Sequence, residues 1–132
     1  MSIYITGVGA AVPENTINNK DLNYLNIDDE WVRSRTGILS RHRIDTDDRL
    51  VDLALDACNS ALHNAQMSAA DIDFILVATS TPDRISPGLA PELGYLLGAK
   101  CPGAIDINGA CTGFLYGLDF ATSRIENGRS SN

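Results

Sequence analysis

The sequence predicts an α/β fold with a mainly parallel sheet covered by helices on both sides. Two observations carry this. Phe74-Ile75-Leu76-Val77-Ala78 is a continuous apolar run rather than an alternating one, as in strands buried on both faces, and Ala104 to Ile107 reads as a second buried strand. Between and around these runs, apolar residues recur at helical spacing, and strands alternating with helices imply right-handed crossovers.

Taken in order, Ile3 to Val8 is expected to be a first strand, closed by Pro13, with Gly7-Val8-Gly9 as a turn. That pair of glycines is no dinucleotide fingerprint, because Ala10-Ala11-Val12 supplies no third glycine and Pro13 blocks an immediate helix. A short helix follows from near Asn19, and a second covers Asp28 to about Ser34. Asp47 or Asp48 caps a long amphipathic helix whose apolar face is Leu50, Leu53, Ala54, Ala57, Ala61, Leu62 and Ala65. The strand stretch within Asp73 to Thr79 ends at Pro82. Leu89, Leu93, Leu96 and Leu97 then mark a helix stopped by Gly98. After the strand Ala104 to Ile107, Leu115, Leu118, Ala121 and Ile125 give a last helix that ends near Asn127-Gly128.

At 132 residues and 44% hydrophobic, the chain can bury one modest core, and it shows no linker, repeat or low-complexity segment, so one domain or part of one is expected. The formal charge of −7 argues against a general nucleic-acid surface. Arg33, Arg35, Arg41, Arg43 and Arg49 nevertheless cluster, so either a local anion site or a solvated loop fits that stretch. Three cysteines, Cys58, Cys101 and Cys111, with no CxxC spacing, suggest neither a disulfide framework nor a zinc site, and fit a reducing cytoplasm. No export signal and no apolar run near the roughly 18 residues of a spanning helix is present, so no membrane association is expected. His42 and His63 do not read as catalytic bases, and Asp28-Asp29-Glu30 has an ordinary electrostatic reason to open a helix.

Cys111 lies between the strand ending at Ile107 and the helical pattern, after the small residues Gly109 and Ala110 that permit a tight turn. It is therefore expected in the helix's first turn, where unpaired N–H groups and the helix dipole favour thiolate over thiol. Two readings of the residue stand: a nucleophile, or a small buried core cysteine.

Asn108-Gly-Ala-Cys-Thr-Gly-Phe-Leu-Tyr-Gly resembles the nucleophile segment of β-ketoacyl-acyl-carrier-protein synthase III, a thiolase-fold condensing enzyme that initiates bacterial fatty acid synthesis. Asp29-Glu-Trp-Val-Arg-Ser-Arg-Thr-Gly-Ile38, followed by Arg41-His42-Arg43, is similar to that family's coenzyme A-binding stretch. Ile5-Thr-Gly-Val-Gly-Ala-Ala-Val-Pro13 and Val77-Ala-Thr-Ser-Thr-Pro82 match it in order and spacing. The resemblance covers the whole chain but only the N-terminal part of the family's thiolase-like fold.

It implies that Cys111 takes an acyl group from an acyl-CoA, with the neighbouring backbone N–H groups forming part of an oxyanion hole, and that malonyl-acyl carrier protein is the extender. Coenzyme A enters as a substrate thioester; no resident cofactor or metal is implied. A His and an Asn from the family's second half stabilise the carbanion, so residues 1–132 alone are expected to be inactive, and the complete enzyme to be a homodimer. Trp31 would stack on adenine and Arg35 lie near a phosphate, unless Trp31 is only a core anchor. Ile27 stands where many relatives carry a polar residue. Ser86, before Pro87, stands where phenylalanine often limits the partner's acyl pocket, so a longer or more polar primer fits. Arg84 would pair with the far carboxylate of a dicarboxylic acyl chain, or is a surface loop residue. The alternatives are a related acyltransferase that transfers to oxygen or nitrogen, and a non-catalytic fragment that binds acyl-CoA or a partner subunit.

Overall fold

The computed structural model describes residues 2–25, 28–100 and 102–132. In chain order they form β1 (Thr16–Asn18), a 3₁₀ helix (Asn19–Leu25), α1 (Asp29–Thr36), β2 (Ser40–His42), α2 (Leu50–Ala65), a 3₁₀ turn (Ala69–Asp71), β3 (Phe74–Ala78), α3 (Leu89–Leu97), β4 (Gly103–Ile107), a 3₁₀ turn (Ala110–Thr112) and α4 (Gly113–Glu126). Although the sequence shows no linker, the chain divides into two compact units: the residues up to Ala11 with Leu50–Asn132, and Val12–Arg49.

In the larger unit β3 and β4 pair in parallel, in register from Phe74 opposite Gly103 to Ala78 opposite Ile107. Strand alternation sends Ile75 and Val77 to one face, where they join Val51 of α2 and Leu89, Ala90 and Leu93 of α3 in the buried core. Phe74 points to the other face and its ring meets Phe120 of α4, with centroids 5.6 Å apart. Helices thus cover both faces, as the sequence predicts. α4 lies down on the sheet through its buried glycines, Gly113 beside Ala78 and Gly117 beside Ile107.

Carboxylates from distant segments start two of the helices. Asp83, in the loop after β3, accepts the Leu50 and Val51 N–H groups at 3.0 and 3.2 Å, so it caps α2 in place of the expected Asp47 or Asp48. Asp48 instead closes a local turn by accepting the Asp45 N–H at 3.0 Å. Asp106 of β4 caps α3 in the same way, through Leu89 and Ala90. The stops fall where the sequence puts them: Gly98 closes α3 at φ 72°, and Gly128 follows α4 at φ 65°.

The expected strand Ile3 to Val8 does not form. The segment finds no ladder partner among the described residues and lies along α2, where the Asn64 amide donates to the Val8 carbonyl at 2.7 Å. Gly7 and Gly9 are not a turn either. A Cβ on Gly7 would sit 2.2 Å from the Ala61 carbonyl oxygen, and one on Gly9 would sit 2.1 Å from that of Ala57. The small residues Ala57, Ala61 and Ala65 therefore serve a backbone contact rather than the α3 core, which takes Val51, Ala54, Leu55 and Cys58.

The smaller unit holds an antiparallel pair that the sequence does not announce, β1 with β2, in register from Thr16 opposite His42 to Asn18 opposite Ser40. Three-residue strands with exposed ends carry too little periodicity to be read.

Candidate active site and nucleotide-binding helix

β4 ends at Ile107, and the next residues turn the chain abruptly into α4. Ala110 takes a left-handed conformation, φ 47°, uncommon for a residue with a Cβ. Gly109 has no room for a side chain, since a Cβ there would lie 2.9 Å from Gly113 Cα and from the Tyr116 ring. The Thr112 hydroxyl donates to the Gly109 carbonyl at 2.8 Å, and Ser80 Oγ donates to Asn108 Oδ1 at 2.9 Å, tying this turn to the loop after β3.

Cys111 sits exposed in the middle of the resulting 3₁₀ turn, just before α4 rather than within its first turn. It lines an open cleft of about 430 Å³ whose other walls are Leu76 and Ala78 of β3 and Phe114, Leu118 and Ala121 of α4. Such a cleft accepts hydrocarbon, and its one nucleophilic side chain is the thiol. Of the nearby N–H groups, those of Thr112 and Gly113 already donate to the Gly109 and Ala110 carbonyls, so neither is free for an oxyanion here. Cys58, by contrast, is half-buried in α2, and burial pushes its thiol up. Cys101 and Ile27 lie outside the described residues. Among the described residues no group of three or more His, Cys, Asp or Glu side chains is placed to hold a metal.

α1 builds the second candidate element. Asp28 accepts the Trp31 N–H at 2.6 Å and caps the helix, and Gly37 ends it at φ 71°. One turn separates Trp31 from Arg35, so the two meet: the guanidinium carbon lies 4.6 Å from the centroid of the indole, which stays 47% exposed. The acidic run is structural, Asp28 as the cap and Asp29 in an ion pair with Arg33 at 3.5 Å.

Arg84 and Ser86 lie in the loop after β3, at the same end of the sheet as Cys111, but neither lines the Cys111 cleft. The Arg84 guanidinium pairs with Glu92 of α3. Ser86 is exposed ahead of a cis bond to Pro87, beside Ile85, whose side chain is 96% exposed. The sequence reading missed the capping carboxylates Asp83 and Asp106 and the backbone of Ala110. A lone Asp in a loop or strand carries no periodic signal, and alanine does not advertise positive φ.

A β-ketoacyl-[acyl-carrier-protein] synthase III from Clostridium perfringens is 46% identical over 129 residues, which cover 97% of this chain and 40% of that relative. One from Bacillus anthracis is 41% identical over the full chain and 43% of its own length. The crystal structure of 3-oxoacyl-[acyl-carrier-protein] synthase III from Aquifex aeolicus superposes with TM-score 0.88 at 38% identity, covering 95% of this chain and 41% of that one.

Over the part of the fold it spans, the chain is similar in sequence and in structure to β-ketoacyl-acyl-carrier-protein synthase III.

The priming β-ketosynthase of the R1128 polyketide pathway also shares the fold, with TM-score 0.89 at 32% identity over 96% of this chain. No family model matches the chain. The chain spans about two fifths of the length of the synthase III relatives it matches. Its α/β architecture is that of the N-terminal part of the thiolase fold. Among the described residues no helix is long and apolar enough to cross a membrane.

Proposed function

We propose that this chain supplies the nucleophile and part of the coenzyme A site of an acyltransferase that initiates fatty acid synthesis by decarboxylative condensation. The observation that carries the reading is Cys111 at an abrupt strand-to-helix turn, opening on an apolar cleft, within a sequence similar to synthase III from end to end. The Cys111 thiolate attacks the thioester carbonyl of an acyl-CoA, and the tetrahedral adduct expels the coenzyme A thiolate and leaves an acyl-cysteine. Malonyl-acyl carrier protein then loses carbon dioxide, and the resulting carbanion attacks the acyl-cysteine carbonyl. Collapse releases β-ketoacyl-acyl carrier protein and regenerates the cysteine thiolate. A thioester suits this sequence because it stays activated toward carbon attack.

Trp31 offers one indole face to adenine while Arg35 covers the other and presents its guanidinium to phosphate. Ser86 in place of a bulky residue favours a primer larger than acetyl. Coenzyme A acts as a substrate, the complete enzyme works as a cytoplasmic homodimer, and the His and Asn that steady the carbanion come from outside these residues.

The experiment fuses this chain to the C-terminal portion of the Clostridium perfringens relative and incubates the fusion with acyl-CoA, with and without malonyl-acyl carrier protein. An acyl mass increment on the Cys111 peptide, followed by ketoacyl product, is expected. Binding of acyl-CoA without either would instead favour a non-catalytic module.

A further inference from the structure

α1 has eight residues, too few to hold its own geometry in water, so something must fix where Trp31 and Arg35 point. Helical spacing of about 100° per residue puts Asp29, Val32, Arg33 and Thr36 on one side of α1 and Trp31 and Arg35 on the other. Val32 is buried. What anchors the start of that inner side is Asn19, a buried polar residue, 1% exposed.

The Asn19 side chain uses both of its N–H donors and one lone pair of its carbonyl oxygen. Its Nδ2 donates to Asp29 Oδ1 at 2.8 Å and to the Ile38 carbonyl at 2.7 Å, and its Oδ1 accepts from Arg41 at 2.9 Å. Two oxygen acceptors on one side and a guanidinium donor on the other fix the amide's orientation chemically. One neutral side chain therefore joins the first residue of α1, the segment that leaves α1, and β2. It also separates a carboxylate from a partly buried cation whose other terminal nitrogen, Arg41 Nη1, is buried without a hydrogen-bond partner among the described residues. Arg41 thus leans on Asn19 for contact with the negative charge of Asp29.

We propose that Asn19 is a positioning residue for nucleotide binding: by bridging Arg41 to Asp29 it sets the roll of α1, and so holds the Trp31 and Arg35 stack outward as an adenine and phosphate platform. This rests on the coenzyme A reading of Trp31 and Arg35 given above. Asn19→Asp tests it, because a carboxylate still accepts from Arg41 but repels Asp29 and cannot donate to Ile38.

Trp31 is the single tryptophan of the chain, so its fluorescence reports this site directly. Two measurements on the 132-residue chain suffice: Trp31 emission and acrylamide quenching without ligand, and titration with adenosine 3′,5′-bisphosphate. Asn19→Asp is expected to raise acrylamide quenching of Trp31 and weaken binding at least about tenfold. The double variant Asn19→Asp with Asp29→Asn, which swaps carboxylate and amide, should recover most of the affinity. Asp29→Asn alone, a milder change that keeps the acceptor for Asn19, should cost about threefold. Circular dichroism confirms that each variant is folded, and an Asn19→Asp chain that does not fold leaves the decision to Asp29→Asn. Wild-type Trp31 emission and affinity in the folded variants would overturn the proposal. A wild-type chain that ignores the nucleotide while Asn19→Asp still shifts Trp31 emission would instead overturn the coenzyme A reading and leave the positioning role standing.

Discussion

Asp106 reaches from β4 to Leu89, accepting its backbone N–H through Oδ2 at 2.6 Å while Oδ1 accepts the Ala90 N–H at 2.7 Å. A strand next to the nucleophile turn thereby starts the helix that covers the other face of the sheet. Asp106→Ala should lower unfolding stability by about 1–2 kcal/mol, the usual worth of a helix cap with charge-assisted bonds, and Asp106→Asn by less. Urea unfolding followed by circular dichroism measures it.

Gly9 makes the opposite kind of demand, for absence. With a Cβ 2.1 Å from the Ala57 carbonyl oxygen and 2.6 Å from the Ala61 nitrogen, Gly9→Ala must push the N-terminal segment off α2. The expected cost is about 1–3 kcal/mol, as for other overpacked sites. Thermal unfolding should show it as a lowered midpoint, with Gly37→Ala, which meets nothing within 4 Å, as the control for backbone strain alone.

Acylation should fall on Cys111 and spare Cys58 and Cys101. The first is exposed at the strand-to-helix turn, whereas Cys58 is half-buried with its thiol pushed up by that burial. Peptide mapping of the fusion after acyl-CoA treatment decides this. Label that persisted in Cys111→Ala would remove the central assignment.

Ser86 should govern primer choice in the assembled enzyme. Ser86→Phe is expected to shift relative rates toward acetyl-CoA and away from longer or dicarboxylic donors. Unchanged ratios across those donors would detach this loop from the acyl pocket. Arg84→Ala, which removes the ion pair with Glu92, should reduce the rate with a dicarboxylic donor more than with acetyl-CoA if the guanidinium reads a distal carboxylate.

The Asp73 carboxylate accepts the Ser131 and Asn132 N–H groups at 2.7 and 3.3 Å, and those bonds hold its carboxyl below the usual carboxylate range. A depressed folded value contributes stability above the unfolded value of about 3.9, and that contribution is lost as pH falls through the lower, folded value. The amide resonances of Ser131 and Asn132 should therefore shift together in acid, below about pH 3.9, and Asp73→Asn should abolish the shift.

What the sequence determined was whatever has a local or periodic cause. Phe74 to Ala78 is apolar without interruption, and Gly98 and Gly128 are residues that tolerate positive φ, so β3 and the helix stops were legible. The strand-to-helix turn around Cys111 was legible too, because a strand, two small residues and a helical pattern flank it, but not the 3₁₀ turn that sets Cys111 ahead of α4. What only the tertiary structure decided depends on which distant groups arrive. Ile3 to Val8 has strand composition, yet a strand exists only when another offers its edge, and here α2 offers a groove fitted to Gly7 and Gly9 instead. Likewise α2 is capped by Asp83 from over 30 residues away and α3 by Asp106, while Asn19 gains its role from Arg41 and Asp29. A hydrogen bond is short-ranged in space but indifferent to distance along the chain, so a residue's own sequence neighbourhood carries no sign of it.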